Sequence, residues 1–128
     1  MKAKDLMIGD LINGFGVVRR VTSINGLGRP EDDGLLTTMV PGCEFPESNL
    51  SFRPCCAQPI PLTEEIVEDR SCPQVSIYWD DRKTEETGEN WYEVMIHTKS
   101  CAAELHIRYV HELQHALRLC GIEKEIIL

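Results

Sequence analysis

Three prolines within eight residues constrain this chain more than any other feature: Pro54, Pro59 and Pro61 in "RPCCAQPIPLTEE". Each ring locks φ near −65° and removes a backbone donor, so none of them belongs inside a central strand. The segment therefore reads as an extended crossover. It divides a chain of 128 residues, the size of one domain, into a β-rich part, 1–54, and an α+β part, 55–128.

Before the crossover, "DLMIGDLINGFGVVRRVTSI" reads as a tight turn at Gly9-Asp10 followed by strands. Val17, Val18, Val21 and Ile24 are β-type residues, and Gly14 and Gly16 break the run where a bulge or bend fits. "NGLGRPEDDG", residues 25–34, is a turn-rich connection, "LLTTMV", residues 35–40, is a short strand, and residues 45–52 supply another. Short strands with glycine turns predict a small curled β-sheet or SH3-like barrel.

After the crossover the pattern changes. Thr63 is an N-cap with Glu64 and Glu65 in the first turn, predicting one or two helical turns, to about Asp69. "QVSIYWD" (74–80) and "WYEVMIHT" (91–98) are aromatic and β-branched, and the polar "DRKTEETGEN" joins them as a hairpin loop. In the second strand Tyr92, Val94 and Ile96 share one face; Trp91, Glu93, Met95 and His97 share the other. "ELHIRY" suggests a further short strand. A last helix over 109–120 carries Tyr109, Leu113, Ala116, Leu117 and Cys120 on one stripe, and Gly121 stops it. The expected fold is α+β: the curled sheet or barrel, the proline-rich crossover, the hairpin, and the C-terminal helix packed on sheet.

Composition excludes some function classes. A net charge of −8 argues against duplex DNA as the main partner, because such binders displace counterions with a basic surface. Residues 1–30 are locally basic (Lys2, Lys4, Arg19, Arg20 and Arg29 against Asp5 and Asp10), which leaves room for RNA or a nucleotide. Asp5 and Asp10 interrupt any signal-peptide run, and no apolar stretch approaches the ~18 residues of a membrane span. A soluble, cytoplasmic protein is expected. Its six cysteines (Cys43, Cys55, Cys56, Cys72, Cys101 and Cys120) show no C-x-x-C spacing, so buried free thiols are the expectation.

One motif carries chemistry. "VHELQHAL", residues 110–117, contains His-Glu-x-x-His. A zinc protease needs two imidazoles one helical turn apart and a carboxylate to deprotonate the bound water. His111 and His115 would be the ligands and Glu112 the base, with the two histidines about 40° apart around the helix and both turned away from the apolar stripe. Such a site also needs a third protein ligand. After His115 only Glu123 and Glu125 offer one; His97 and His106 lie upstream. With four His and 14 Glu, composition alone yields the motif about once in a hundred such chains. Arg108, three residues before His111, would also repel a dication. The match therefore reads as coincidental, a solvated face of His111, Gln114, His115 and Arg118. No catalytic, cofactor or metal residue is assigned, and zinc stays an alternative only.

Other candidates are weaker. Asp32-Asp33 and Asp80-Asp81 are paired carboxylates in expected turns. Cys55-Cys56, beside Arg53, could form a redox or metal pair. Trp79 and Trp91 flank the hairpin and are expected to pack against each other in the core, the alternative being an exposed binding pair. No Ser/His/Asp arrangement and no phosphate-loop glycine pattern is present.

Three segments together carry a resemblance: "MKAKDLMIGDLI", "QPIPLTEEIVE" and "IRYVHELQHALRLCGIEKEI", roughly a third of the chain. They resemble small uncharacterised proteins of gut Bacteroidales, many encoded in phages and mobile elements. The pattern of that family is approximately M-K-x-x-D-L-x-I-G-[ND], P-I-P-L-T-E-E-[IW]-L and Y-V-H-[EQ]-L-Q-N-L-x-x-A-L-x-G. There the position matching His115 is commonly Asn and that matching Glu112 is often Gln, neither of which preserves metal chemistry. This chain departs from the pattern at His115 and at Cys120. The resemblance implies small size, a cytoplasmic location and a phage-like context, and no mechanism. A non-enzymatic interaction or accessory module is expected, with a protein partner or self-association. The alternatives are a zinc hydrolase through His111, Glu112 and His115, and an RNA- or nucleotide-binding barrel using Arg19, Arg20 and Lys4.

Overall fold

The computed structural model describes residues 5–25, 34–42, 49–67, 73–99, 102–122, 126 and 128. The architecture is α+β, in two units, Met1–Ile60 and Pro61–Leu128, whose boundary falls among the three prolines.

The first unit is a five-strand antiparallel sheet of β1 (Leu11–Gly14), β2 (Val17–Asn25), β3 (Leu35–Met39), β4 (Leu50–Phe52) and β5 (Ala57–Gln58), in the order β4-β3-β2-β1-β5. A 3-10 turn, Pro54–Cys56, begins at the first proline and leads the chain back to β1. The sheet curls into a half-barrel because β2 changes partner along its length: Val17 to Arg20 face β1, and Arg20 to Asn25 face β3. The register shifts between Val21 and Ser23, and the Thr22 hydroxyl donates to the Thr37 carbonyl at 3.0 Å. A bulge of this kind bends and twists its strand.

The bulge or bend expected at Gly14 and Gly16 is a two-residue hairpin turn. Gly14 pairs with Val17, and Phe15 and Gly16 between them have φ of 53° and 77°. Positive φ at both central residues is the turn whose twist matches that of the flanking strands. Gly14 has a separate role: a Cβ there would lie 2.7 Å from Cζ of Phe52. The missing side chain lets the Phe52 ring close the core, where it joins Leu6, Ile12, Val21, Leu36 and Ala57. Burial of each of the larger side chains, Leu, Ile, Val or Phe, contributes about 1.5–3 kcal/mol. Gly9 makes the expected turn, and the buried Asp10 carboxylate accepts from the Met7 N–H at 2.8 Å.

The second unit begins with a short helix, α1 (Glu64–Val67), where the Thr63 hydroxyl accepts from the Ile66 N–H at 3.4 Å. A three-strand antiparallel sheet follows, in the order β6 (Val75–Trp79), β7 (Tyr92–His97), β8 (Ala102–Ile107). The expected alternation holds on β7, where Tyr92, Val94 and Ile96 are buried. The C-terminal helix α3 (Val110–Leu119) packs on this sheet through Val110, Leu113, Ala116 and Leu117, and Gly121 ends it with φ of 71°.

The connection between β6 and β7 is a helix, α2 (Asp81–Thr87), not an irregular hairpin loop. Asp80, expected in a turn, caps it by accepting from the Lys83 N–H at 3.0 Å, and Gly88 closes it in the left-handed region. Arg82 and Glu86 pair one turn apart. Polar composition made the segment look like a loop, yet most of its residues are good helix formers once a cap is in place. The two tryptophans also part company. Trp79 lies across from Tyr92, ring to edge at 5.4 Å, and is 43% exposed. Trp91 is tied to α2: its indole N–H donates to the Thr87 hydroxyl at 2.9 Å and its backbone N–H to that of Thr84 at 3.0 Å.

Cys55 and Cys56 are exposed and Cys120 is half-buried, so these thiols are not the buried hydrophobes expected. Partial loss of hydration, and then the neighbouring Cys55 thiol, still raise the Cys56 thiol pKa. Cys43, Cys72 and Cys101 lie outside the described residues, as do Lys2, Lys4, Arg29, Asp32 and Asp33. Among the described residues no helix is long and apolar enough to cross a membrane.

Candidate functional site

The His-Glu-x-x-His motif occupies the first turns of α3, and its geometry follows from how that helix starts. Tyr109 is the N-cap, held extended (φ −122°, ψ 152°) by a bridge to Pro61, and the Leu62 N–H donates to the Arg108 carbonyl at 2.9 Å. Glu112 is the third helical residue. Its Oε1 accepts from the Tyr109 N–H at 3.2 Å and from the Arg108 N–H at 3.3 Å. This is the carboxylate half of a capping box. The carboxylate that a hydrolase would use as base is here satisfying helix-end donors.

His111 does not lie on a solvated face. It is only 7% exposed, because its ring stacks on that of Tyr109 (5.8 Å, 13°) and meets that of His115 edge-on at 5.6 Å. The extended N-cap folds the Tyr109 side chain alongside the first turn, a placement that helical spacing does not reveal. Gln114 and His115 are half-buried, and Arg118 is exposed. Among the described residues no third His, Cys, Asp or Glu offers a ligand atom within 4.8 Å of both histidines. Glu123 and Glu125 lie outside the described residues. His97 is exposed at the end of β7, and His106 is engaged elsewhere.

His106 belongs to a different cluster, on the outer face of the second sheet. Strand register builds it: Glu93 on β7 stands opposite His106 on β8, and Glu104 lies two residues along on the same face. Ligand atoms of Glu93, Glu104 and His106 all lie within 4.8 Å of one another. Asp80, at the start of α2, accepts from His106 Nδ1 at 2.7 Å. The Asp80 carboxyl is held below its usual range, first by the Lys83 N–H and then, against burial, by His106. Glu93 is pushed upward, first by the neighbouring Glu104 carboxyl and then by loss of hydration. One carboxylate stabilises an imidazole here, while two others crowd each other. Sequence reading placed Glu93 on the correct face and named His106 as a possible ligand. It missed Glu104, and it placed Asp80 in a turn with Asp81 and not beside His106, because only the tertiary structure brings them together.

Beside this cluster, Arg108 lies 4.9 Å from the Trp91 ring and 4.7 Å from the Tyr109 ring, and its guanidinium pairs with Glu89. Lys83 covers Trp91 at 4.4 Å. These contacts link α2, the residues leading into β7 and the start of α3 into one packed polar layer.

In the first unit, the basic residues considered for RNA are partly engaged within the fold. Arg19 and Arg20 are half-buried on β2, and Arg19 Nε donates to the Gly14 carbonyl at 3.4 Å. Phe15, which sequence reading did not single out, is 67% exposed at the tip of the β1–β2 turn, its ring edge-on to Phe52 at 5.3 Å. Comparison with protein-family models, curated proteins and solved structures returned no match.

Proposed function

We propose that the chain is a non-enzymatic protein-interaction or accessory module of the phage and mobile-element type, acting in the cytoplasm through a protein partner or self-association. The observation that carries this reading is Phe15. A left-handed backbone costs an L-residue roughly 1–2 kcal/mol. An edge-to-face aromatic contact returns roughly 0.5–1.5 kcal/mol. A phenylalanine with φ of 53° and 67% of its surface exposed therefore adds little stability to its turn. Asn, Asp or Gly would serve the turn better. Strained, displayed aromatics are characteristic of recognition sites. The resemblance of three segments to the Bacteroidales proteins supports the mobile-element context, and the net charge of −8 favours protein over DNA.

The test is Phe15→Asn, because Asn tolerates left-handed backbone. Sedimentation velocity and affinity capture from a host lysate are run on both proteins. The variant is expected to keep its thermal midpoint and to lose the oligomer or the captured protein. Equal association by both proteins, or a strict monomer without a partner, counts against the reading.

A further inference from the structure

We propose that Glu93, Glu104 and His106 form a binding site for a divalent transition-metal ion, zinc by preference, on the outer face of the β6–β7–β8 sheet. The site is separate from the His111–His115 helix face, and it does not rest on the interaction reading above.

The donors are placed by backbone. Glu93 and His106 are directly paired residues of adjacent strands, and Glu104 is on the same face of the strand that carries His106. Their ligand atoms lie within 4.8 Å of one another. Two donors of one zinc ion, bonded at about 2.0–2.2 Å, are at most about 4.4 Å apart. Small side-chain rotations on a fixed sheet close the set.

A second observation comes from another element. Asp80 sits at the β6–α2 junction with its side chain nine-tenths buried, 10% exposed. Oδ1 accepts from the Lys83 N–H, and Oδ2 lies 2.7 Å from His106 Nδ1. An ionised carboxylate only accepts, so Nδ1 carries the proton and the lone pair of the neutral ring is on Nε2. A buried carboxylate fixing the tautomer and orientation of an imidazole is the usual arrangement behind a metal-ligating histidine. An imidazole needs no such backing to be an ordinary surface residue. Glu93 and Glu104 also bring two carboxylates within 4.8 Å of each other. A cation between them removes the repulsion of two like charges.

The donor set narrows the ion. Calcium takes six to eight oxygens, and magnesium keeps most of its waters. One imidazole with two carboxylates suits zinc or manganese, and the general affinity order places zinc above manganese. The three donors leave room for water, so the bound ion would be exchangeable. It would tie β7 to β8 and, through His106, to the cap of α2.

The experiment is calorimetric titration of zinc chloride into untagged protein, for wild type, Glu104→Gln, Asp80→Asn and His115→Asn. Asn is itself a good N-cap, so Asp80→Asn preserves α2. Circular dichroism checks that each variant is folded. One equivalent of zinc is expected in wild type. Glu104→Gln and Asp80→Asn should each weaken it by about 10-fold or more, the range seen for ligands and their supporting groups. His115→Asn should leave it unchanged. Equal affinity in wild type and Glu104→Gln would mean an adventitious ion only and would overturn the proposal. So would a loss of binding confined to His115→Asn, which would move the metal to the helix motif.

Discussion

The two units solve the same burial problem differently. Among the described residues, the half-barrel of Met1–Ile60 curls around a cluster of six buried apolar side chains. The sheet of Pro61–Leu128 has α3 laid on its inner face. Among the described residues Met7, Ile8, Phe15, Val17, Leu35 and Leu50 are exposed in the first unit, and Tyr78, Trp79, Leu119 and Leu128 in the second. The two-layer unit spends its outer face on polar chemistry: Asp80, Glu93, Glu104, His106, and the Arg108 stack. The charged cluster goes with the second architecture, because a layer covered on one side is free to be polar on the other.

The comparison breaks most readily in the cores. Leu36 is fully buried in the half-barrel and Leu117 nearly so under the sheet. Leu36→Ala is expected to cost about 3–5 kcal/mol and Leu117→Ala about 2–4 kcal/mol, within the range for buried leucines. The difference arises because a small single-layer core has fewer neighbours to collapse into the cavity. Urea unfolding measures both, and a larger loss at Leu117 would reverse the ranking of the two units.

A middle-sized effect belongs to the polar layer of the second unit. Arg108→Ala removes the Glu89 pair and both ring contacts, and should cost about 1–2 kcal/mol from lost stacking and stem packing. If thermal unfolding shows no loss, the layer is surface decoration and the contrast between the units weakens.

The smallest effect sharpens the meaning of the helix motif. Glu112→Gln retains an oxygen acceptor for the two N–H groups of Arg108 and Tyr109, so its stability should change by under about 0.5 kcal/mol. Glu112→Ala, which abandons them, should cost about 0.5–2 kcal/mol. Equal losses for the two variants in a thermal melt would show that the negative charge, and not the cap, is what matters at Glu112.

Much of the local structure was legible because it depends on near neighbours. The alternation at Tyr92, Val94 and Ile96, the apolar stripe of Leu113, Ala116 and Leu117, and the stops at Gly9 and Gly121 follow from periodicity and from the conformations glycine allows. The helical connection at Asp81–Thr87 was readable in principle from its Asp80 cap and its Gly88 stop. Its polar composition concealed it.

The sequence by itself determined the α+β class, the curled sheet and the closing helix, since patterning and backbone restriction act over a few residues. Tertiary structure alone decided which side chains meet. It buried His111 against Tyr109, turned Glu112 to the helix start, and used strand register to bring Glu93, Glu104 and His106 together in front of Asp80. Those outcomes depend on register and on the path of an extended cap. A one-residue slip would send every one of those strand side chains to the opposite face.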